Sequence, residues 1–167
     1  MNDTDRIVRR ITLNAPLPRV WRALTDSERF GIWFGARFAG PFQPGKRLRA
    51  RLVPTRMDAE IARAQEAFEG MEFDIVVERM EPMRLFSFRW HPGGDPVETP
   101  ESAPPDEQMT LVEFTLEQTA EGVLLTVEES GFDRVPPARR ARAFADNAEG
   151  WTVQMDLVAR YLAAERD

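Results

Sequence analysis

The stretch that most restricts this chain's fold is "NAEGWTVQMDLVARYL", residues 147–162. On a helix turning 100° per residue, Phe144, Ala148, Trp151, Met155, Val158 and Leu162 fall within about 40° of one line. Gln154, Leu157, Tyr161 and Gly150 occupy the adjoining flank. Such an arc is too wide for a helix that rests on a surface by one stripe. The helix predicted over residues 137–163 must therefore be wrapped by other elements on two sides. Gly150 costs about 1 kcal/mol of helix propensity against alanine, and its place on the flank predicts that another element approaches the backbone there.

Strands are the wrapping elements. Residues 6–13, "RIVRRITL", alternate enough and carry enough β-branched side chains to predict a strand. "RLRARLV" alternates Leu48, Ala50 and Leu52 against arginines, and "MEFDIVVERM" sets Met71, Phe73, Ile75 and Val77 on one parity. "MRLFSFRW" puts Phe86, Phe88 and Trp90 on one face. "MTLVEFTLEQ" and "GVLLTVEES" flank the turn "TAEG", and matching Phe114 with Val127 and Leu116 with Leu125 gives an antiparallel register. Two short helices fit between the first strand and the rest. Pro16 and Pro18 open one, with Val20, Trp21 and Leu24 on a common face. The other covers 26–34, capped by Asp26 or Ser27, with Phe30, Trp33 and Phe34 at helical spacing. Residues 57–67 are rich in helix formers. Residues 92–107 hold five prolines and five acids and read as a polar connection. No repeat or second domain is visible, so residues 1–167 form one α+β domain with helices gathered on one face of an antiparallel sheet.

Composition excludes several function classes. A net charge of −6 argues against nucleic-acid binding, which runs on basic surface. With no cysteine and one histidine, His91, neither thiolate nor multi-histidine metal sites can form. No stretch approaches the ~20 apolar residues of a membrane span, and "MNDTDRIVRR" lacks a signal-peptide core, which predicts a cytoplasmic protein without membrane insertion. No phosphate-cradling loop, dinucleotide fingerprint, GxSxG or HExxH occurs, and no cofactor is expected.

"NAPLPRVWRALTDSERFGIWFG", "RLFSFRW", "ESGF" at 129–132 and "GW…L…YL" of the last helix together resemble the SRPBCC superfamily, the START-like, birch-pollen-allergen-like helix-grip fold. More narrowly, they resemble the family named after the activator of heat-shock protein 90 ATPase, in its C-terminal domain. The likeness runs from about residue 6 to 163. It implies a strongly curved antiparallel sheet gripping the last helix around an interior cavity. In that superfamily such cavities hold lipids, sterols or polyketides, and some members catalyse cyclisation or hydrolysis. The chaperone activator carries an additional N-terminal domain, whereas the first strand here begins almost at Met1, which argues against co-chaperone activity. The segments 57–67 and 92–107 are longer than the minimal pattern and would reshape the cavity mouth.

Trp33, Phe34, Phe73, Phe88, Trp90, Phe114 and Trp151 fall on predicted inward faces, joined by Met155 on the helix line. Any one of them reads as core packing. As a set, large rigid rings suit the walls of an apolar pocket, with Trp33, Phe34 and Trp151 the foremost wall residues. The predicted register also sets Glu113 opposite Glu128, with Arg89 diagonal to them. Their parity puts that trio on the solvated face, as a surface charge cluster rather than an acid–base pair. His91, in "HPGG", has no nucleophile or orienting partner beside it and reads as an exposed loop residue. Arginines at 134–142 oppose the dipole at the long helix's start. Solvation and the nearby Asp133 and Asp146 compensate them, unless an anionic ligand head group or an acidic partner does.

The leading expectation is a non-enzymatic binder of a small apolar or amphipathic, lipid- or polyketide-like molecule between sheet and helix. A cyclase-like or hydrolytic enzyme would need at least two polar groups converging inside the same cavity. A chaperone-regulating interaction protein is the third class, and a homodimer is an open assembly.

Overall fold

A computed structural model describes residues 5–93 and 104–164. Most of the acidic, proline-rich connection, residues 94–103, lies outside them. Seven strands of the described residues form one sheet: β1 (Arg6–Leu13), β2 (Ala36–Phe38), β3 (Arg47–Leu52), β4 (Glu72–Glu81), β5 (Leu85–Trp90), β6 (Thr110–Thr119) and β7 (Gly122–Ser130). They lie in the order β1-β7-β6-β5-β4-β3-β2, every neighbouring pair antiparallel. Among the described residues, four α-helices complete the fold: α1 (Leu17–Thr25), α2 (Ser27–Phe34), α3 (Ala59–Gln65) and α4 (Pro137–Ala164). The curved sheet and the long α4 make the α+β helix-grip architecture. Among the described residues no helix is long and apolar enough to cross a membrane.

Local chemistry explains the element boundaries. Pro16 precedes α1, where its missing N–H is not needed. Asp26 caps α2 by accepting from the backbone N–H of Glu28 and Arg29 at 3.0 and 3.2 Å. Gly35 ends α2 at φ 96°, a left-handed conformation that favours glycine. One turn earlier, a methyl group on Gly31 would lie 2.1 Å from the Ala36 carbonyl oxygen, so α2 can sit on β2 only without a side chain there. Strand β2 is three residues long, too short to carry an alternating signal, and it escaped the sequence reading.

The predicted register holds, with Phe114 opposite Val127 and Leu116 opposite Leu125. The core lies between the inner sheet face, α2 and α4. Trp151, Met155, Val158 and Leu162 are buried on the predicted line of α4, and Leu157 and Tyr161 on its flank. Arg9 on the edge strand β1 donates to the Ala148 carbonyl at 3.1 Å and to Thr152 Oγ1 at 3.0 Å. Arg19 of α1 donates to the Leu162 carbonyl at 2.6 Å. The helix is thus held along its length from two sides.

Gly150 departs from its expectation. A methyl group there would meet no atom within 4 Å, so no element approaches the backbone at that point. The close approach belongs to Gly31, where α2 meets the sheet edge.

Candidate functional site

Strand β7 buries Val123, Leu125 and Val127 on its inner face, and the same alternation carries Glu129 inward to 0% exposure. Four side chains from three elements donate to this carboxylate. Trp90 Nε1 of β5 reaches Oε2 at 2.8 Å, and Thr110 Oγ1 of β6 reaches Oε2 at 2.5 Å. From α4, Trp151 Nε1 reaches Oε1 at 2.8 Å, and Asn147 Nδ2 spans both oxygens at 2.9 and 3.1 Å. Indole and amide N–H groups only donate, so this set matches the acceptor capacity of an ionised carboxylate. The cluster ties the middle of the sheet to the middle of α4. Asn147 extends it outward, its Oδ1 accepting from the Gly93 backbone N–H at 3.2 Å.

Aromatic rings surround the cluster. Trp90 and Trp151 stack at 5.8 Å with 28° between their planes. Phe34 lies 5.9 Å from Trp90 and 6.4 Å from Trp151, and Phe73 lies 6.2 Å from Trp90. Behind them Trp33, Phe88 and Phe114 are wholly buried, and Phe114 meets Trp151 edge-on at 5.7 Å. Trp33 also has a structural bond, its Nε1 donating to the Ala23 carbonyl at 2.9 Å. Met155 is buried one turn beyond Trp151. Of the eight predicted wall residues only Phe73 and Trp90 keep partial solvent contact. The set therefore divides into a closed rear and an open front at the ends of β4 and β5.

Among the described residues, two hollows lie away from this wall. One of about 400 Å³ opens between α2, β2 and the segment after β3, lined in part by Glu28, Ile32, Arg37 and Arg56. The other, about 280 Å³, sits on the outer sheet face beside Arg84, Thr115 and Leu124. Neither is bounded by the aromatic wall.

Glu113 and Glu128 are opposed on the outer face, as the register predicts. Arg89 does not relieve them. It donates to Glu78 at 2.5 Å, while Arg6 pairs with Glu128 at 2.9 Å. The register shift between Val77 and Arg79 in β4 explains the difference, because a bulge re-aims the side chains around it. His91 is half-buried rather than exposed, and its buried Nδ1 has no hydrogen-bond partner among the described residues. Burial pushes the imidazole below the usual histidine range; Asp106 opposes the shift, and Arg139 and Arg47 reinforce it. In the arginine cluster, Arg140 donates to the Val135 and Asp133 carbonyls at 3.1 and 3.0 Å. Arg142 lies 3.9 Å from Asp146.

The sequence reading missed Glu129. The signal was available: Val123, Leu125, Val127 and Glu129 share one parity, so the strand pattern that sent Glu128 outward sent Glu129 inward.

A sheet bent around a long C-terminal helix, with a polar cluster and aromatic wall between them, defines a helix-grip protein of the SRPBCC superfamily. Residues 14–163 match the family described as Activator of Hsp90 ATPase homolog 1-like protein, and the chain belongs to that family. Among solved structures it is similar to DynU16, a protein in the dynemicin biosynthetic locus, at 26% identity and TM-score 0.64. That match covers 96% of this chain and 48% of DynU16, so the chain spans about half of that relative. Protein MLL2253 from Mesorhizobium loti shares the fold at 21% identity and TM-score 0.69, covering 97% and 99% of the two chains. The Aha1 dimer from Colwellia psychrerythraea does so at 17% identity and TM-score 0.66, covering 97% and 98%. No curated protein matches the sequence.

Proposed function

We propose that this protein binds a small, flat apolar or amphipathic molecule against the wall formed by Phe34, Phe73, Trp90 and Trp151. One observation carries the reading. These rings come from α2, β4, β5 and α4 and converge within 6.4 Å of one another along the chain of contacts, yet Phe73 and Trp90 stay partly exposed. Rings that serve only the core are sealed, as Phe30, Trp33 and Phe86 are. The rings pack against one another and the two hollows described above lie elsewhere, so a guest stacks at the open front on the partly exposed faces of Phe73 and Trp90. Polyketide-like molecules fit this chemistry, and the similar DynU16 comes from a biosynthetic locus.

The test is native mass spectrometry of freshly purified protein, followed by titration with a library of flat apolar compounds. One guest per chain is expected, with binding weakened about tenfold or more in Trp90→Ala, as loss of a stacking ring implies. Absence of any co-purifying molecule and of binding across the library would reject the proposal.

A catalytic reading draws on one observation: Glu129, Thr110 and Asn147 converge inside the grip. Every carboxylate oxygen is already engaged by donors, which favours a positioning role over proton abstraction. Assembly as a homodimer, as in the Colwellia relative, is measured by light scattering of the full chain.

A further inference from the structure

Glu129 carries a carboxylate into the core with no counter-ion among the described residues. None of the ion pairs among the described residues includes it. Its neighbours are neutral donors and aromatic rings, and a fully buried charge is screened far less than a surface one. Two of its donors, Trp90 and Trp151, are themselves wall residues of the proposed site. Any guest against those rings therefore lies within the field of this carboxylate.

We propose that Glu129 sets the charge class of the guest: the site accepts neutral or cationic molecules and rejects organic anions such as fatty-acid carboxylates. The inference rests on the aromatic wall being the binding site. Two physical effects have the same sign. At roughly 7 Å and an effective dielectric near 20, Coulomb interaction between unit charges changes affinity by on the order of tenfold or more. The faces of tryptophan and phenylalanine rings add attraction for a cation and none for an anion. Glu129 is already satisfied by its four donors, so the guest need not bond to it. It acts through its charge, as a residue that determines specificity.

Three probes of one shape test this by calorimetry at pH 7 and physiological ionic strength: 2-naphthylmethylamine, 2-naphthalenemethanol and 2-naphthoate. The amine and the alcohol are expected to bind at least about tenfold more tightly than the naphthoate. In Glu129→Gln the gap should shrink to about threefold or less. Glu128→Gln removes the same formal charge one residue away on the outer face and should leave the gap intact, which separates the buried charge from the chain's overall −6. Naphthoate binding as tightly as the amine in the unaltered protein overturns the inference, even if Glu129→Gln fails to fold. A gap that survives in folded Glu129→Gln also overturns it. Failure of all three probes to bind overturns the aromatic-wall reading and this inference together, whereas binding with the wrong ranking overturns this inference alone.

Discussion

Trp151 and Glu129 are joined by a buried hydrogen bond of 2.8 Å, indole Nε1 to Oε1, between the middle of α4 and the end of β7. The bond fixes the orientation of the long helix on the sheet, because the indole can meet that oxygen from one face of α4 only. Trp90 makes the equivalent bond from β5 to the other oxygen. One carboxylate thus positions two stacked rings.

Removing the carboxylate strands four donors in the core. Glu129→Ala should cost about 3–5 kcal/mol, since each unsatisfied buried donor costs about 1–3. Trp151→Phe keeps a ring and loses one bond, and should cost about 1–2 kcal/mol. Urea unfolding of both variants checks the order: Trp151→Phe more damaging than Glu129→Ala would contradict the hub.

The two helical glycines should respond in opposite directions. Gly150→Ala meets open space and gains helix propensity, so it should stabilise by about 0.5–1 kcal/mol. Gly31→Ala drives a methyl group into the Ala36 carbonyl and should destabilise by about 1–3 kcal/mol. Thermal midpoints of the two variants settle the signs.

His91 should make stability pH-dependent near neutrality. Its folded pKa lies below the ordinary value of about 6.5, so between the two the unfolded chain binds more protons. Stability should rise with pH through that window and level off above it. His91→Asn should flatten this slope in thermal midpoints measured from pH 4.5 to 8; an unchanged slope would assign it elsewhere.

Asp58 governs a separate acid window. It caps α3, accepting from the N–H of Ile61 at 3.0 Å and of Glu60 at 2.8 Å, and pairs with Arg160 of α4 at 2.5 Å. The Ile61 bond chiefly holds the carboxyl below its usual range; burial opposes, and Glu60 and Arg160 add to the lowering. The stabilisation is present above the ordinary aspartate pKa of about 3.9 and is lost as pH falls through the folded value. Asp58→Asn retains a cap and should remove this acid sensitivity. Acid titrations of α3's amide exchange, in both forms, provide the comparison.

The parity of β6 and β7, the span of α4 and the Asp26 cap were legible because each rests on neighbours in sequence. Glu129 was equally legible by parity, yet a glutamate beside a second glutamate reads as solvated until its donors are known. Those donors come from residues 90, 110, 147 and 151, distances along the chain that no local pattern spans.

By itself the sequence determined the order of the elements apart from the short β2, the antiparallel register of β6 with β7 and the inward faces of the strands, because side-chain periodicity and capping act over a few residues. Only the tertiary structure decided which inward groups meet: that Arg89 serves Glu78, that Gly31 rather than Gly150 admits a close approach, and that two tryptophans share one buried carboxylate. Sheet curvature and helix packing set those distances, and they are properties of the whole fold rather than of any segment.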